Sequence, residues 1–193
     1  METYRTLLVI PDPAERTAAH AVLTDAGEQV VGEAATLAEL EASFNDNSPE
    51  VVLLDATLLP MPQELRDLLH PAALVVVRSA EPDTETLLAI THSGAFATLT
   101  KPFTPEDAVA EIALAVMRNE DLLQCNAELD KVQTRLADRI VIEKAKGLLI
   151  QHEGLTEPEA FKRIHFAARK ANRTMREVSD ETVARFADGV GNA

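Results

Sequence analysis

The 193-residue chain has a single cysteine, Cys125, so it forms no internal disulfide and no cysteine-rich metal centre. No apolar run approaches the roughly 20 residues that cross a bilayer. The opening segment METYRTLLVIPDP lacks the order of basic stretch, apolar stretch and small-residue cleavage site, so no signal peptide is expected. There is no Gly-rich phosphate loop and no nucleophile–base pairing, and an enzyme is not expected. His152 and His165 lack a Cys partner and a metal-binding His spacing, so no metal is expected there. These absences predict a cytoplasmic protein in a reducing compartment, with no membrane partner.

What is present is a sizeable core and an uneven charge. Hydrophobic residues make up 46% of the chain, enough for packed domains. The net charge of −14 argues against a polyanion ligand until its distribution is read. Residues 1–118 hold 6 Lys and Arg against 19 Asp and Glu, whereas residues 131–176 hold 11 against 5. An acidic half followed by a basic segment suits a sensor tied to a nucleic-acid binder, although basic residues also merely solvate helix faces.

The first 117 residues alternate strand and helix signals. Leu7–Ile10, Gln29–Ala34, Val51–Leu54, Leu74–Val77 and Thr98–Thr100 read as strands. Segments from Ala14, Thr36, Gln63, Pro82 and Pro105 read as helices. Strands apolar on both faces belong in a parallel sheet covered by helices, so a flavodoxin-like α/β domain is predicted. Its reactive end, at the C-terminal ends of the strands, collects Asp12, Asp55, Ser79 and Lys101.

Asp55 in VVLLDATLLP, Ser79 in VVVRSA and Lys101-Pro102-Phe103 in TLTKPF are the residues by which this half resembles the CheY-like receiver domain of two-component response regulators. The resemblance implies Asp55 as phosphoacceptor, Lys101 as the positive charge, Ser79 as the hydroxyl partner of a phosphoryl oxygen, and a Mg²⁺ site. The sequence departs from that pattern at three places. Ile10 and Pro11 stand where receivers carry two acidic residues, and Thr98 stands where an aromatic switch is common. Asp12 and Asp55 are left as a depleted Mg²⁺ site. Two readings stay open: a phosphorylated Asp55 with reduced Mg²⁺ support from Asp12, or a pseudo-receiver whose pocket is a relic or a docking surface. A sensor kinase or a ligand-sensing regulatory protein is the expected partner.

Between Pro105 and Lys146 there is no interior Gly or Pro, room for about 60 Å of helix at about 1.5 Å per residue. Leu122, Leu129 and Leu136 recur every seventh residue, with Cys125 and Val132 between them. This predicts a coiled-coil seam over residues 118–138 and a homodimer, the alternative being a helix packed on its own domain. Beyond Gly154, Thr156–Glu159 and Thr174–Glu177 are capping boxes for two short helices, the first ending near Asn172 and the second near Ala187.

The tail carries Arg139, Ile142-Glu143-Lys144-Ala145-Lys146-Gly147-Leu148-Leu149, Gly154-Leu155-Thr156-Glu157, Glu159-Ala160-Phe161, Ala167-Ala168, and Arg173-Thr174-Met175 leading to Val178. In this order it resembles the ANTAR domain of transcription antitermination regulators. The resemblance implies an all-α, three-helix output module over residues 139–193 that binds hairpins in nascent leader RNA, as a dimer. The expected core is Leu148, Leu149, Leu155, Phe161, Ile164 and Val178. Ala145, Gly147, Ala160, Ala167 and Ala168 are expected to let helices approach, and Phe166 to be buried. Arg139, Lys144, Lys146, Lys162, Arg163, Arg169, Lys170, Arg173 and Arg176 remain as RNA contacts, with His165, Asn172 and, if it is not buried, Phe166 as further candidates for stacking or hydrogen bonding to loop bases. Reversing Arg139, Lys144 and Arg173 is predicted to abolish binding. Read without the resemblance, three short basic helices fit a DNA-binding response regulator equally well.

Overall fold

The computed structural model describes residues 3–188, so the expected Gly189 stop lies outside the described residues. The chain divides into two compact units, Met1–Gln124 and Cys125–Ala193.

The first unit runs β1 (Arg5–Val9), α1 (Pro13–Asp25), β2 (Gln29–Ala34), α2 (Leu37–Asn47), β3 (Val51–Asp55), α3 (Gln63–Leu69), β4 (Ala73–Arg78), α4 (Thr84–Thr91) and β5 (Ala97–Thr100). All five strands are parallel, in the order β2-β1-β3-β4-β5, the flavodoxin-like arrangement. Alternation along the strands sorts the core into two layers. Leu7, Val9, Val52, Leu54 and Val76 pack with Leu40 and Phe44 of α2 and Leu65 and Leu69 of α3. Leu8, Ile10, Leu53, Val75 and Val77 pack with Ala19 and Leu23 of α1 and with Ala108 and Ile112. Each such fully buried aliphatic side chain is worth about 1.5–3 kcal/mol. Gly32 allows α2 to ride directly on β2, since a Cβ there would lie 2.6 Å from Ser43 Oγ.

Helix α5 (Pro105–Glu153) is 49 residues long and continuous through the Gln124/Cys125 division. Gly154 ends it with φ +68, a conformation a Cβ disfavours. In the second unit follow α6 (Glu157–Ala171) and α7 (Met175–Asp188). Both start as the sequence predicts. The Thr156 N–H and hydroxyl donate to the Glu159 carboxylate, and those of Thr174 to Glu177. Asn172 closes α6 in the left-handed region at φ 53.

Ala145, Leu149, Ala160 and Ile164 form the small core of this unit, with Leu155, Met175, Val178 and Phe186 packed against it. Four expectations are corrected. Leu148 is half-buried and lies outside this core. Phe161 is 46% exposed rather than in the core. Ala167 is exposed, and nothing lies within 4 Å of a Cβ added at Gly147, so neither serves close helix approach. The buried face of α6 is a narrow stripe of Ala160, Ile164 and Ala168, one residue per turn.

Candidate functional site

The strand ends of the first unit converge on Asp55, the last residue of β3, which is 2% exposed. Its Oδ1 accepts hydrogen bonds from the Thr57 N–H at 2.8 Å and the Thr57 hydroxyl at 2.7 Å. Its Oδ2 accepts from Lys101 Nζ at 2.7 Å. Burial pushes the Asp55 carboxyl up, but the Lys101 and Thr57 hydrogen bonds and the lysine charge outweigh it and hold it below its ordinary value. Burial likewise depresses Lys101, and its two carboxylate partners outweigh that and raise it. The second partner is Glu15, whose Oε2 lies 2.6 Å from Lys101 Nζ.

Glu15 is a pocket residue that the sequence does not single out, and Asp12 has a structural role beside its place at the strand ends. Asp12 caps α1, its Oδ1 accepting from the Ala14 and Glu15 N–H groups at 2.9 Å each. That role holds Glu15 in the first turn of α1, the turn that reaches Lys101. Ser79 is exposed and lines a cavity of about 470 Å³ with Ile10, Glu15, Val22, Lys101 and Phe103. The residues do not fit the Mg²⁺ ion of a receiver. Ile10 is fully buried and apolar, Asp12 is engaged in capping, and Glu15 is paired with Lys101. Among the described residues no three His, Cys, Asp or Glu side chains converge to hold a metal.

The second unit sorts the nine basic candidates. Lys146 is 6% exposed and held by Glu157 at 2.7 Å and Glu143 at 3.0 Å. Those two bonds raise its pKa, and its burial keeps it off the exposed face. Arg163 pairs with Glu153, and Arg173 with Glu181. Arg176 pairs with Asp138 and Asp180. Arg139, Lys144, Lys162, Arg169 and Lys170 are exposed and make no salt bridge among the described residues. Three of these five lie on α6. Phe166, expected to be buried, is 64% exposed beside them. On α5, Leu122, Leu129, Val132 and Leu136 are all exposed, as is Cys125.

The ANTAR domain family matches residues 130–183. The transcriptional regulatory protein PdtaR of Mycobacterium tuberculosis is 33% identical over 167 residues, covering 82% of this chain and 79% of that relative. The chain belongs to the ANTAR-domain response regulators. As a member of that family it is a transcriptional regulator with a receiver domain. Two solved structures resemble the receiver half of this ANTAR-domain regulator in fold. One is the signal receiver domain of a modulated diguanylate cyclase from Desulfovibrio desulfuricans G20, with TM-score 0.54 and 19% identity, covering 62% of this chain and 98% of that one. The other is a two-component response regulator of the LuxR family from Aurantimonas sp. SI85-9A1, with TM-score 0.51 and 24% identity, covering 67% and 99%. Among the described residues no helix is long and apolar enough to cross a membrane.

The pocket of this ANTAR-domain regulator makes a pH prediction. The folded Asp55 carboxyl titrates below its unfolded value of about 4, so its stabilisation is present above that pH and is lost as pH falls through the folded value. Lys101 is raised, so its share is present below about 10.4 and is lost as pH rises through its folded value. Urea midpoints should therefore fall on acidification below about pH 4. Asp55→Asn should remove part of that slope, the other lowered carboxylates Asp83, Asp107, Glu157, Glu159 and Glu177 supplying the rest. An Asp55→Asn slope equal to the wild type's would contradict the assignment.

Proposed function

We propose that this regulator acts in transcription antitermination, binding hairpins in nascent leader RNA through residues 139–193 under control of the receiver half, residues 1–117. The observation that carries the reading is the group of exposed, unpaired cations, Arg139, Lys144, Lys162, Arg169 and Lys170, on the unit matched by the ANTAR domain. Lys and Arg on an exposed face supply phosphate contacts and salt-dependent affinity. The seam at Leu122, Cys125, Leu129, Val132 and Leu136 holds two copies together over residues 118–138. Its support is an apolar stripe at heptad spacing left exposed on one chain. A gel shift comparing stem–loop leader RNA with duplex DNA tests the reading. RNA is bound, and DNA preference would favour the DNA-binding alternative.

Control does not run through Mg²⁺-dependent phosphoryl transfer. The donor set around Asp55 supports this: its carboxylate is engaged by Lys101 and Thr57, Ile10 is buried and apolar, and Asp12 and Glu15 each have one carboxylate oxygen already committed, to the start of α1 and to Lys101. A protein partner, a sensor kinase or a ligand-sensing regulator, docks instead. Incubation with acetyl phosphate and Mg²⁺ followed by intact-mass measurement leaves the mass unchanged. A stoichiometric gain of one phosphoryl group on Asp55 would overturn this part.

A further inference from the structure

The outward face of α6 alternates aromatic and cationic side chains in two adjacent rows. Phe161, His165 and Arg169 follow one another at four-residue spacing, and Lys162, Phe166 and Lys170 form the second row. The Phe161 and His165 rings lie nearly parallel, 9° apart in plane with centroids 6.2 Å apart. Phe166 meets His165 edge-on at 5.9 Å and 66°. Neither phenylalanine belongs to the core of the unit. No carboxylate pairs with Lys162, Arg169 or Lys170 in a salt bridge among the described residues, although Glu159 attracts Lys162.

An exposed ring ringed by unpaired cations suits few occupants. An apolar protein face would have to strip water from three charges, which is costly without partners. A second copy of the same face would set cation against cation. Single-stranded nucleic acid answers both demands, since each nucleotide carries a flat apolar base and a phosphate. We infer that Phe166, flanked by Phe161 and His165, is a stacking platform for an unpaired base of the RNA loop, with Lys162, Arg169 and Lys170 on the adjoining phosphates. This rests on the RNA-binding reading and deepens it. The stem gives affinity through its backbone, and the α6 rings distinguish loop from stem.

The full chain is used to select from a stem–loop RNA library with a fixed stem and a randomised loop, and binding to the selected RNA is followed by fluorescence anisotropy. Phe166→Ala lowers affinity about tenfold or more, the scale of one lost base stack. Phe166→Tyr restores it. The slope of affinity against salt is the same in wild type and Phe166→Ala, because no phosphate contact is removed. Unchanged affinity in Phe166→Ala, equal loss in Ala and Tyr, or a reduced salt slope overturns the stacking role. If Phe166→Ala binds normally while Lys162→Glu/Arg169→Glu/Lys170→Glu does not, the RNA reading stands and the stack alone falls. Failure of the wild type to prefer stem–loops over the same library annealed as closed duplex overturns both.

Discussion

Replacing Lys162, Arg169 and Lys170 together by glutamate should abolish hairpin binding by the full chain. Each lost phosphate contact lowers the log–log salt slope by about one unit, so the three should flatten it by about three. The loss in affinity at physiological salt should be about a hundredfold at least, because each substitution adds repulsion as well as removing attraction. Fold is expected to survive, since all three side chains are exposed and none makes a salt bridge in the described residues. Far-ultraviolet circular dichroism checks that, and titration at several salt concentrations reads the slope. The triple substitution expected from sequence, at Arg139, Lys144 and Arg173, is the weaker choice. Arg173 is engaged by Glu181 at 2.6 Å and by the Glu177 carbonyl, so its loss would disturb α7. Retained binding in the triple glutamate variant would remove the α6 face from the interface.

If the heptad stripe pairs two copies as proposed, Leu129→Asp with Leu136→Asp should leave a monomer, with a matching loss of hairpin affinity. Both side chains are exposed on one chain, Leu129 at 53%, so their cost falls on association rather than on the folded unit. Two linked RNA-binding units gain up to about 10²–10⁴ over one alone, and the monomer forfeits that gain on paired hairpins. Sedimentation equilibrium measures the mass. Cys125 reports the geometry of the same seam. In a parallel, in-register pair the two Cys125 side chains face each other across the axis, within the reach of about 4.4–6.8 Å between Cα atoms that a disulfide requires. Mild oxidation with diamide should therefore give a covalent dimer, and an antiparallel pairing would not. An unchanged mass in the double aspartate variant would mean that the stripe is not the interface.

Local signals were legible in the sequence, and distant pairings were not. Val51–Asp55 and Gln29–Ala34 end where their runs of strand residues end. Thr36, Thr156 and Thr174 start helices because each is followed three residues on by a glutamate that completes the cap. Asp55 and Lys101 meet as expected because parallel strands deliver their C-terminal ends to one side. Glu15 could not be read from sequence, lying 86 residues from Lys101 with no spacing rule to connect them. Asp12 has a second role that the sequence does not disclose, because an acid just after a strand serves equally as a helix cap. Lys146 was counted with the surface cations because a basic residue on a helix does not disclose that two carboxylates will close over it. Phe161 and Phe166 were expected inside because large rings usually are. With small residues lining its buried stripe, α6 packs close and leaves the rings outside.

The paired capping boxes of α6 and α7 bear on how fast each half acquires its shape. Each of these helices begins on a threonine–glutamate contact spanning three residues. By contrast, the receiver sheet pairs β1 with β3 across an excursion through α1, β2 and α2, and the Arg5 N–H reaches Glu50, 45 residues away. Chains dominated by short-range contacts fold in about microseconds to milliseconds, and sheets joined over long separations take longer. The second unit should therefore reform quickly after each local opening, while the receiver unit is the slower to fold.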